Sequence, residues 1–273
     1  MFKCGRIGMA CEGAGKRRIF AIGNYTKQRL LYPYHEWAMA VLRRIPNDGT
    51  FDQTAPLKRL VGFKNVFSFD LKSATDRFPL HFIYRVFECL FGPSLASAVV
   101  NSTLGINLFD LRARCPSRSI SFVVGQPLGY YSSWALFSLS HHVLVWYCAE
   151  LAYPGKRFSN YAILGDDVVI GDPVVARHYE ESLSKLEVPI SYLKSLISDV
   201  GAFEFAKRFR VREGRKDISP ISFRTLCGAG HPFGLMAIQE KYPCRRFSSL
   251  LRIGGLVYSP IPPYPGENGY GSR

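Results

Sequence analysis

Two apolar runs, Ala162 to Leu164 and Val168 to Ile170, are separated only by Gly165-Asp166-Asp167. Runs this short suit strands, and a glycine-containing polar turn between them is a β-hairpin signature. The hairpin commits this part of the chain to an antiparallel sheet. It also sets two adjacent carboxylates at the tip. A third apolar run, Val66 to Phe69, ends at Asp70. Carboxylates at strand ends can converge across neighbouring strands at little cost in backbone freedom.

That convergence occurs in a basic chain. The 273 residues carry 35 Lys and Arg against 21 Asp and Glu, a formal charge of +14. Carboxylates grouped in such a protein call for a neutralising partner. Mg²⁺ (or Mn²⁺) suits them: a hard cation held by one or two carboxylates plus substrate phosphates. Two such ions about 3.5–4 Å apart stabilise the attacking and leaving oxygens of phosphoryl transfer. The plain alternative is that turns favour Asp for their own reasons.

The positive charge lies in short clusters: Lys16-Arg17-Arg18, Arg43-Arg44, Lys58-Arg59, Arg112 to Arg118 and Lys207 to Lys216. Nucleic acid and an anionic membrane surface are the two partners that such an excess suits. Clusters dispersed between apolar runs fit a folded, positively lined groove, with an ordinary basic surface as the alternative. The content of 20 Phe and 15 Tyr excludes a disordered chain. Seven cysteines without a CxxC spacing exclude a disulfide framework and a zinc knuckle and point to a reducing compartment. Met1 to Gly15 lacks the apolar core of a secretory signal. Glu12 and the glycines around it also make a poor transit peptide.

The remaining pattern gives helices over Tyr32–Arg44, Pro79–Leu90, Tyr130–Leu151 and Pro173–Leu186, a strand over Ser119–Val124, and a loop over Gly125–Gly129. Residues 1–60 read as basic clusters mixed with helical stretches, with a turn at Pro46-Asn47-Asp48-Gly49. Residues 188–226 alternate short strands with turns, and Tyr258–Arg273 is a Pro-, Gly- and Tyr-rich tail. The Tyr130–Leu151 run reads as a buried core helix, not a membrane span, since His141, His142 and serines sit at its middle. The two histidines invite a zinc reading, but no Cys or His stands at a recognised ligand spacing from them.

The order of these elements resembles a polymerase. Phe69-Asp70-Leu-Lys-Ser-Ala-Thr-Asp76-Arg77 is similar to motif A, and Gly125-Gln126-Pro127-Leu128-Gly129-Tyr-Tyr-Ser132-Ser133-Trp134 to motif B. Leu164-Gly165-Asp166-Asp167 is similar to motif C and Ile190-Ser191-Tyr-Leu-Lys194-Ser195 to motif D. Glu204-Phe205-Ala206-Lys207-Arg208-Phe209 resembles motif E as mitoviruses write it, and Gly15-Lys16-Arg17-Arg18-Ile19-Phe20-Ala21-Ile22 resembles the basic finger motif F. The stretches Ile45–Thr54 and Asp217–Ser222 also look mitoviral. The chain thus resembles the palm and part of the fingers of a mitovirus RNA-dependent RNA polymerase.

The resemblance implies an α+β fold: a palm of antiparallel sheet with packed helices, partial fingers and a largely absent thumb. It implies fingers over 1–64, palm over 65–226, a palm or thumb-base remnant over 227–257 and a flexible tail over 258–273. Asp70 and Asp166 would hold two Mg²⁺ ions with Asp167 in support, and Lys194 would act as general acid to pyrophosphate. Asp76 would read the ribose 2′-hydroxyl, with Ser132 and Ser133 against the ribose and incoming nucleotide. Lys16, Arg17 and Arg18 would neutralise the triphosphate. Gly125 and Gly129 would let their loop flex against the template, and Lys207 and Arg208 would brace the primer end. RNA template, product strand and ribonucleoside triphosphates are the implied partners, and the mitochondrion the implied compartment.

Each role has a plainer alternative. Asp76 can pair with Arg77 or Lys72, Gly129 can be a loop glycine, Ser132 can be an N-cap, and Lys194 can be a solvated surface residue. Family polymerases are longer, so the chain also reads as a core fragment: a viral sequence captured by a host genome, or part of a longer gene. A non-catalytic RNA-binding remnant is therefore the alternative function. A reverse transcriptase is disfavoured by Gly165, Asp76 and the motif B serines.

Overall fold

The computed structural model describes residues 4–11, 15, 17–111, 118–242 and 246–255. The chain divides into two compact units, Met1–Ile218 and Ser219–Arg273.

The first unit opens with strands β1 (Gly5–Cys11) and β2 (Arg17–Gly23), followed by helix α1 (Tyr25–Arg44). Strand β3 (Val66–Asp70) leads into helices α2 (Ala74–Arg77), α3 (Leu80–Phe91) and α4 (Pro93–Ala96). A wide-turn π-helix, Ser97–Gly105, precedes strands β4 (Phe109–Leu111) and β5 (Arg118–Ile120). Helix α5 (Ser133–Ala152), strands β6 (Tyr161–Leu164) and β7 (Asp167–Ile170) and helix α6 (Pro173–Lys185) come next. Strands β8 (Leu196–Ser198), β9 (Phe203–Phe205), β10 (Arg208–Val211) and β11 (Lys216–Asp217) close the unit.

The central sheet has the order β6-β7-β3-β8 and is antiparallel throughout. Side chains alternate across a strand, and here both faces are covered. Tyr161, Ile163, Phe69, Val168 and Ile170 join the large core with α5 and α6. Val66, Ala162 and Val169 turn to the other face and pack with Leu57, Leu60, Phe203 and Phe205. Burial on both faces explains why these strands read as continuous apolar runs. Thirteen of the twenty residues of α5 are buried, as a helix without a polar face must be. Among the described residues no helix is long and apolar enough to cross a membrane.

The free edge of β6 is capped by the chain itself. Asn47 O accepts from Ile163 N (2.9 Å), and Gly49 N donates to Ile163 O (2.7 Å). Asn47 Nδ2 adds bonds to the Ser159 and Tyr161 carbonyls.

A second sheet, β2-β1-β4-β5, corrects the reading of residues 1–60 as basic and helical stretches. Its β1–β2 hairpin lies in a segment without period-2 alternation, and β1 pairs in parallel with the distant β4. Helix α1 begins at Tyr25, where Asn24 caps it by accepting from Lys27 N, earlier than the expected Tyr32. Pro33 lies inside α1, and a proline within a helical pattern signals an end that packing here overrides. The expected strand Ser119–Val124 contracts to β5 because the Asn107 side chain takes over the backbone groups of Phe122. Helix α5 starts at Ser133, not Tyr130. The tail Tyr258–Arg273 lies outside the described residues.

The second unit contains three helices among its described residues: α7 (Phe223–Cys227), α8 (Pro232–Lys241) and α9 (Phe247–Ile253). Ser222 and His231 cap the first two through Thr225 N and Phe233 N. Ala229 and Ile238 are its buried apolar residues among those described.

Candidate active site

The β3–β7 register makes Asp70 and Asp167 direct cross-strand partners. Asp166 adjoins Asp167 in the two-residue turn Gly165-Asp166, since Leu164 pairs with Asp167. The sequence separates Asp70 from this pair by nearly a hundred residues, and the sheet brings them to one end. Like charges directly opposite each other across a sheet are unfavourable. Burial, then Asp166, Asp70 and Glu204, pushes the Asp167 carboxyl up to about 6, opposed by a hydrogen bond from the Ala206 backbone.

Asp70, Asp167, Lys194, Glu204 and Ala206 are among the residues lining a cavity of about 340 Å³. Asp166 is not part of that lining. Lys194 Nζ lies 3.8 Å from Asp70 Oδ2 while remaining largely exposed. Its loop is fixed to the end of β3: Ser191 N donates to Asp70 O (2.8 Å), and Ser195 Oγ accepts from Asp70 N (3.1 Å). Burial first, then Asp70, raises the Glu204 carboxyl. Its backbone N donates to Ser68 Oγ (3.1 Å), which fastens β9 to β3. Glu204 was quoted above as part of a motif without a role; the cavity adds it to the carboxylates.

Among the described residues no three His, Cys, Asp or Glu side chains form a ready-made metal cage. Opposed Asp70 and Asp167, with Asp166 adjoining, could supply hard oxygens to a Mg²⁺ that completes its shell with water and phosphate. The elevation of Asp167, by burial first and then by Asp166, Asp70 and Glu204, is a strain that a bound cation would relieve.

The loop 125–129 is pinned at both ends. Gln126 N donates to Thr75 O (3.0 Å), and Ala21 N to Leu128 O (2.7 Å). A Cβ on Gly125 would meet Thr75 O at 2.2 Å, and one on Gly129, at φ +104°, would meet Ala21 O at 2.6 Å. Both glycines are thus points of close backbone approach, to α2 and to β2. Asp76, on α2, is exposed and makes no ion pair with Lys72 or Arg77.

Ser132 and Ser133 are buried. Ser132 stands at the N-cap position of α5 with φ 68°, but its hydroxyl does not cap. It donates to Leu31 O (3.0 Å), and Ser132 N donates to His35 Nδ1 (3.3 Å). Gln28 completes this clasp from α1 by accepting from Tyr131 N (2.9 Å) and donating to Gly129 O (3.4 Å). Ser133 Oγ and Gln126 Oε1 are buried without a protein partner.

Arg17 and Arg18 are exposed at the start of β2, opposite Cys11 and Ala10; Lys16 lies outside the described residues. Ala206 and Lys207, with φ 52° and 63°, form the two-residue turn between β9 and β10. Two positive φ values are the I′ pattern that matches strand twist. Lys207 is exposed, whereas Arg208 is engaged with Asp217 at 3.2 Å.

The two histidines of α5 have both ring nitrogens occupied. His141 Nδ1 donates to Gly165 O (2.7 Å), and Nε2 accepts from Tyr179 (2.6 Å). Burial holds His141 down to about 4, so it is neutral. His142 meets Tyr161 (3.0 Å) and Asp48 (3.1 Å). The sequence expectation for this pair is a polar mark on a buried core helix and a disfavoured zinc site, with no partners named. The missed signal was two polar rings in an otherwise apolar helix, which burial obliges to find partners.

The profile of the family described as Mitovirus RNA-dependent RNA polymerase matches residues 1–238. An uncharacterized mitochondrial protein of Arabidopsis thaliana is 45% identical over 239 residues, covering 84% of this chain and 95% of that protein. The RNA-directed RNA polymerase of Cryphonectria parasitica mitovirus 1 is 36% identical over 213 residues. That match covers 76% of this chain but only 26% of the viral protein. Among solved structures, the RNA-dependent RNA polymerase of a human picobirnavirus aligns with TM-score 0.63 at 14% identity, over 92% of this chain and 56% of that one. An apo telomerase of Candida tropicalis aligns with TM-score 0.59 at 10% identity, over 79% and 55%. The chain thus spans little more than half of these solved polymerases, whose likeness shows a palm-like α+β fold. The profile match over residues 1–238 places this chain in the mitovirus RNA-dependent RNA polymerase family.

Proposed function

We propose that this chain is a polymerase core that transfers ribonucleotides to an RNA end under the direction of an RNA template, in the mitochondrion. The observation that carries the proposal is the β3–β7 register, which sets Asp70 against Asp167 with Asp166 adjoining. In this reading the fingers occupy 1–64, the palm 65–226, a thumb-base remnant 227–257 and a flexible tail 258–273.

Asp70, Asp166 and Asp167 would hold Mg²⁺ (or Mn²⁺). When bound, the ions stabilise the charge that develops on the attacking and leaving oxygens. Lys194 would give a proton to the leaving pyrophosphate, a role that its 3.8 Å approach to Asp70 and its exposure support. Lys16, Arg17 and Arg18 would screen the triphosphate, and Asp76 would accept from the ribose 2′-hydroxyl. Ser132 and Ser133 would reach the nucleotide only if the α1 clasp opens, because Ser132 Oγ is committed to Leu31 O. Gly125 and Gly129 would let their loop flex against the template once the Gln126–Thr75 and Ala21–Leu128 bonds release, and Lys207 and Arg208 would brace the primer end.

The test is primer extension with purified protein, Mg²⁺ and ribonucleotides. Asp166→Asn keeps the side-chain size and removes one metal-directed charge. Loss of several kcal/mol of stabilisation, at 1.36 kcal/mol per tenfold, predicts at least a roughly hundredfold drop in extension with RNA binding retained. The buried Ser132 hydroxyl and the Arg208–Asp217 pair favour a second reading, a non-catalytic RNA-binding remnant. Wild-type protein that binds RNA, extends no primer and gains no thermal stability from Mg²⁺ would establish that alternative.

A further inference from the structure

We propose that His141 is a positioning residue for the Asp166–Asp167 turn, holding the Gly165 carbonyl through Nδ1–H while Tyr179 fixes its tautomer. The inference rests on the polymerase reading of that turn and adds to it two residues outside the carboxylate set.

A carbonyl can only accept, so the 2.7 Å contact to Gly165 O places the proton on Nδ1. Nε2 then carries the lone pair, and the Tyr179 hydroxyl donates to it at 2.6 Å. Both side chains have no solvent exposure, so water does not compete for either bond. The hydrogen bond at one ring nitrogen sets the state of the other.

The geometry of the turn makes this bond consequential. The peptide linking Gly165 to Asp166 is planar and trans, so its C=O and N–H point in opposite directions. Holding the carbonyl toward α5 turns the Asp166 N–H away from α5 and fixes the plane from which Asp166 departs. Gly165 has φ +60°, and a Cβ there would meet the Trp134 ring at 2.1 Å. Trp134 and His141 are seven residues apart, two turns along one face of α5, so one helix grips the turn twice. Tyr179 reaches the other carboxylate strand as well. Its ring stacks on Phe69, the neighbour of Asp70, with centroids 5.6 Å apart and planes at 27°. One buried pair thereby supports both strand ends that carry the carboxylates.

A satisfied core histidine of merely structural importance predicts a different response to substitution. His141→Phe keeps a ring and removes the donor. His141→Asn restores an N–H where Nδ1 stands. Both are compared with wild type, as the full chain, by hydrogen exchange over residues 164–168 and by titration with Mn²⁺ alone. His141→Phe is expected to speed exchange at 164–168 by about tenfold or more, the consequence of an orphaned buried acceptor. Exchange in the β1–β2 hairpin should stay unchanged and Mn²⁺ affinity should fall about tenfold, with His141→Asn restoring both. Unchanged exchange at 164–168, a uniform rise across the molecule, or no rescue by Asn would overturn the inference. If the exchange pattern appears but wild-type protein binds no Mn²⁺, the positioning role stands and the polymerase reading falls. Should His141→Phe fail to fold, the imidazole nitrogen spectrum of wild type and of Tyr179→Phe decides. An Nδ1–H tautomer that loosens in Tyr179→Phe supports the proposal, and an Nε2–H tautomer in wild type defeats it.

Discussion

In the β6-β7-β3-β8 sheet, Ile163 and Val169 are buried on opposite faces. In the β2-β1-β4-β5 sheet, Met9 is 57% and Ile19 60% exposed. The first sheet is clamped between α5 and α6 on one side and β9 on the other, and its end carries carboxylates that repel one another. The second leaves apolar side chains open and carries Arg17 and Arg18 at its rim. Groups held together against their mutual repulsion need a rigid base. Cations that meet a long, variable polyanion do not.

The comparison can be broken most directly by truncation in the two sheets. Ile163→Ala should cost about 2–5 kcal/mol, the range for a buried large-to-small change. Ile19→Ala should stay within about 0.5 kcal/mol, as surface changes do. Urea unfolding of both variants measures the contrast, and equal costs would remove the distinction between the sheets.

The central sheet also has a pH handle. In the unfolded chain His141 takes up a proton near 6.5, and in the fold it stays neutral down to about 4. Between these values the unfolded state binds more protons, so this group withdraws stability as pH falls, by about 3 kcal/mol in all. Asp167 acts in the opposite sense. Its carboxyl, held up to about 6 against an ordinary 3.8, adds stability as pH falls through the same window. Denaturation of Asp167→Asn across pH 7 to 4 removes that counter-effect. The expected outcome is a steeper loss of stability on acidification than in wild type.

The smallest effect belongs to the rim of the open sheet. Replacing Arg17 and Arg18 by Gln should leave stability nearly unchanged. It should reduce the slope of log affinity against log salt for single-stranded RNA by about 0.7 per lost phosphate contact. Filter binding at several salt concentrations measures this, and an unchanged slope would remove these arginines from the RNA path.

How far the sequence discloses each region follows from the same contrast. The β6–β7 hairpin and Asp70 were legible because two-faced burial writes short apolar runs that stop at a charge. Helices α3 and α6 were legible from periodicity, with Pro79 and Pro173 at their starts. The β1–β2 hairpin was not, because its strands mix glycine, arginine and apolar residues and depend on pairing with β4, about a hundred residues away. The clasp of Gln28, Leu31 and His35 on Gly129, Tyr131 and Ser132 was hidden for a similar reason. It relies on a backbone carbonyl and on side chains that carry no pattern of their own. His141 was visible as an anomaly in α5, but its partners, Gly165 and Tyr179, could be named only from the fold.

The cap that Asn47–Gly49 places on β6 bears on how the molecule can be divided. An uncovered strand edge is a template for another chain's backbone, and β6 is the outermost strand beside the Gly165-Asp166 turn. Asp48 is tied into the core by His142, so the cap is anchored to α5 as well as to the strand. A fragment that starts between residues 50 and 65 would keep Asp70, Asp166 and Asp167 and still expose β6 to its neighbours. Its failure would be precipitation before any assay of chemistry, which sets Asn47 as the latest starting point for a soluble excised palm.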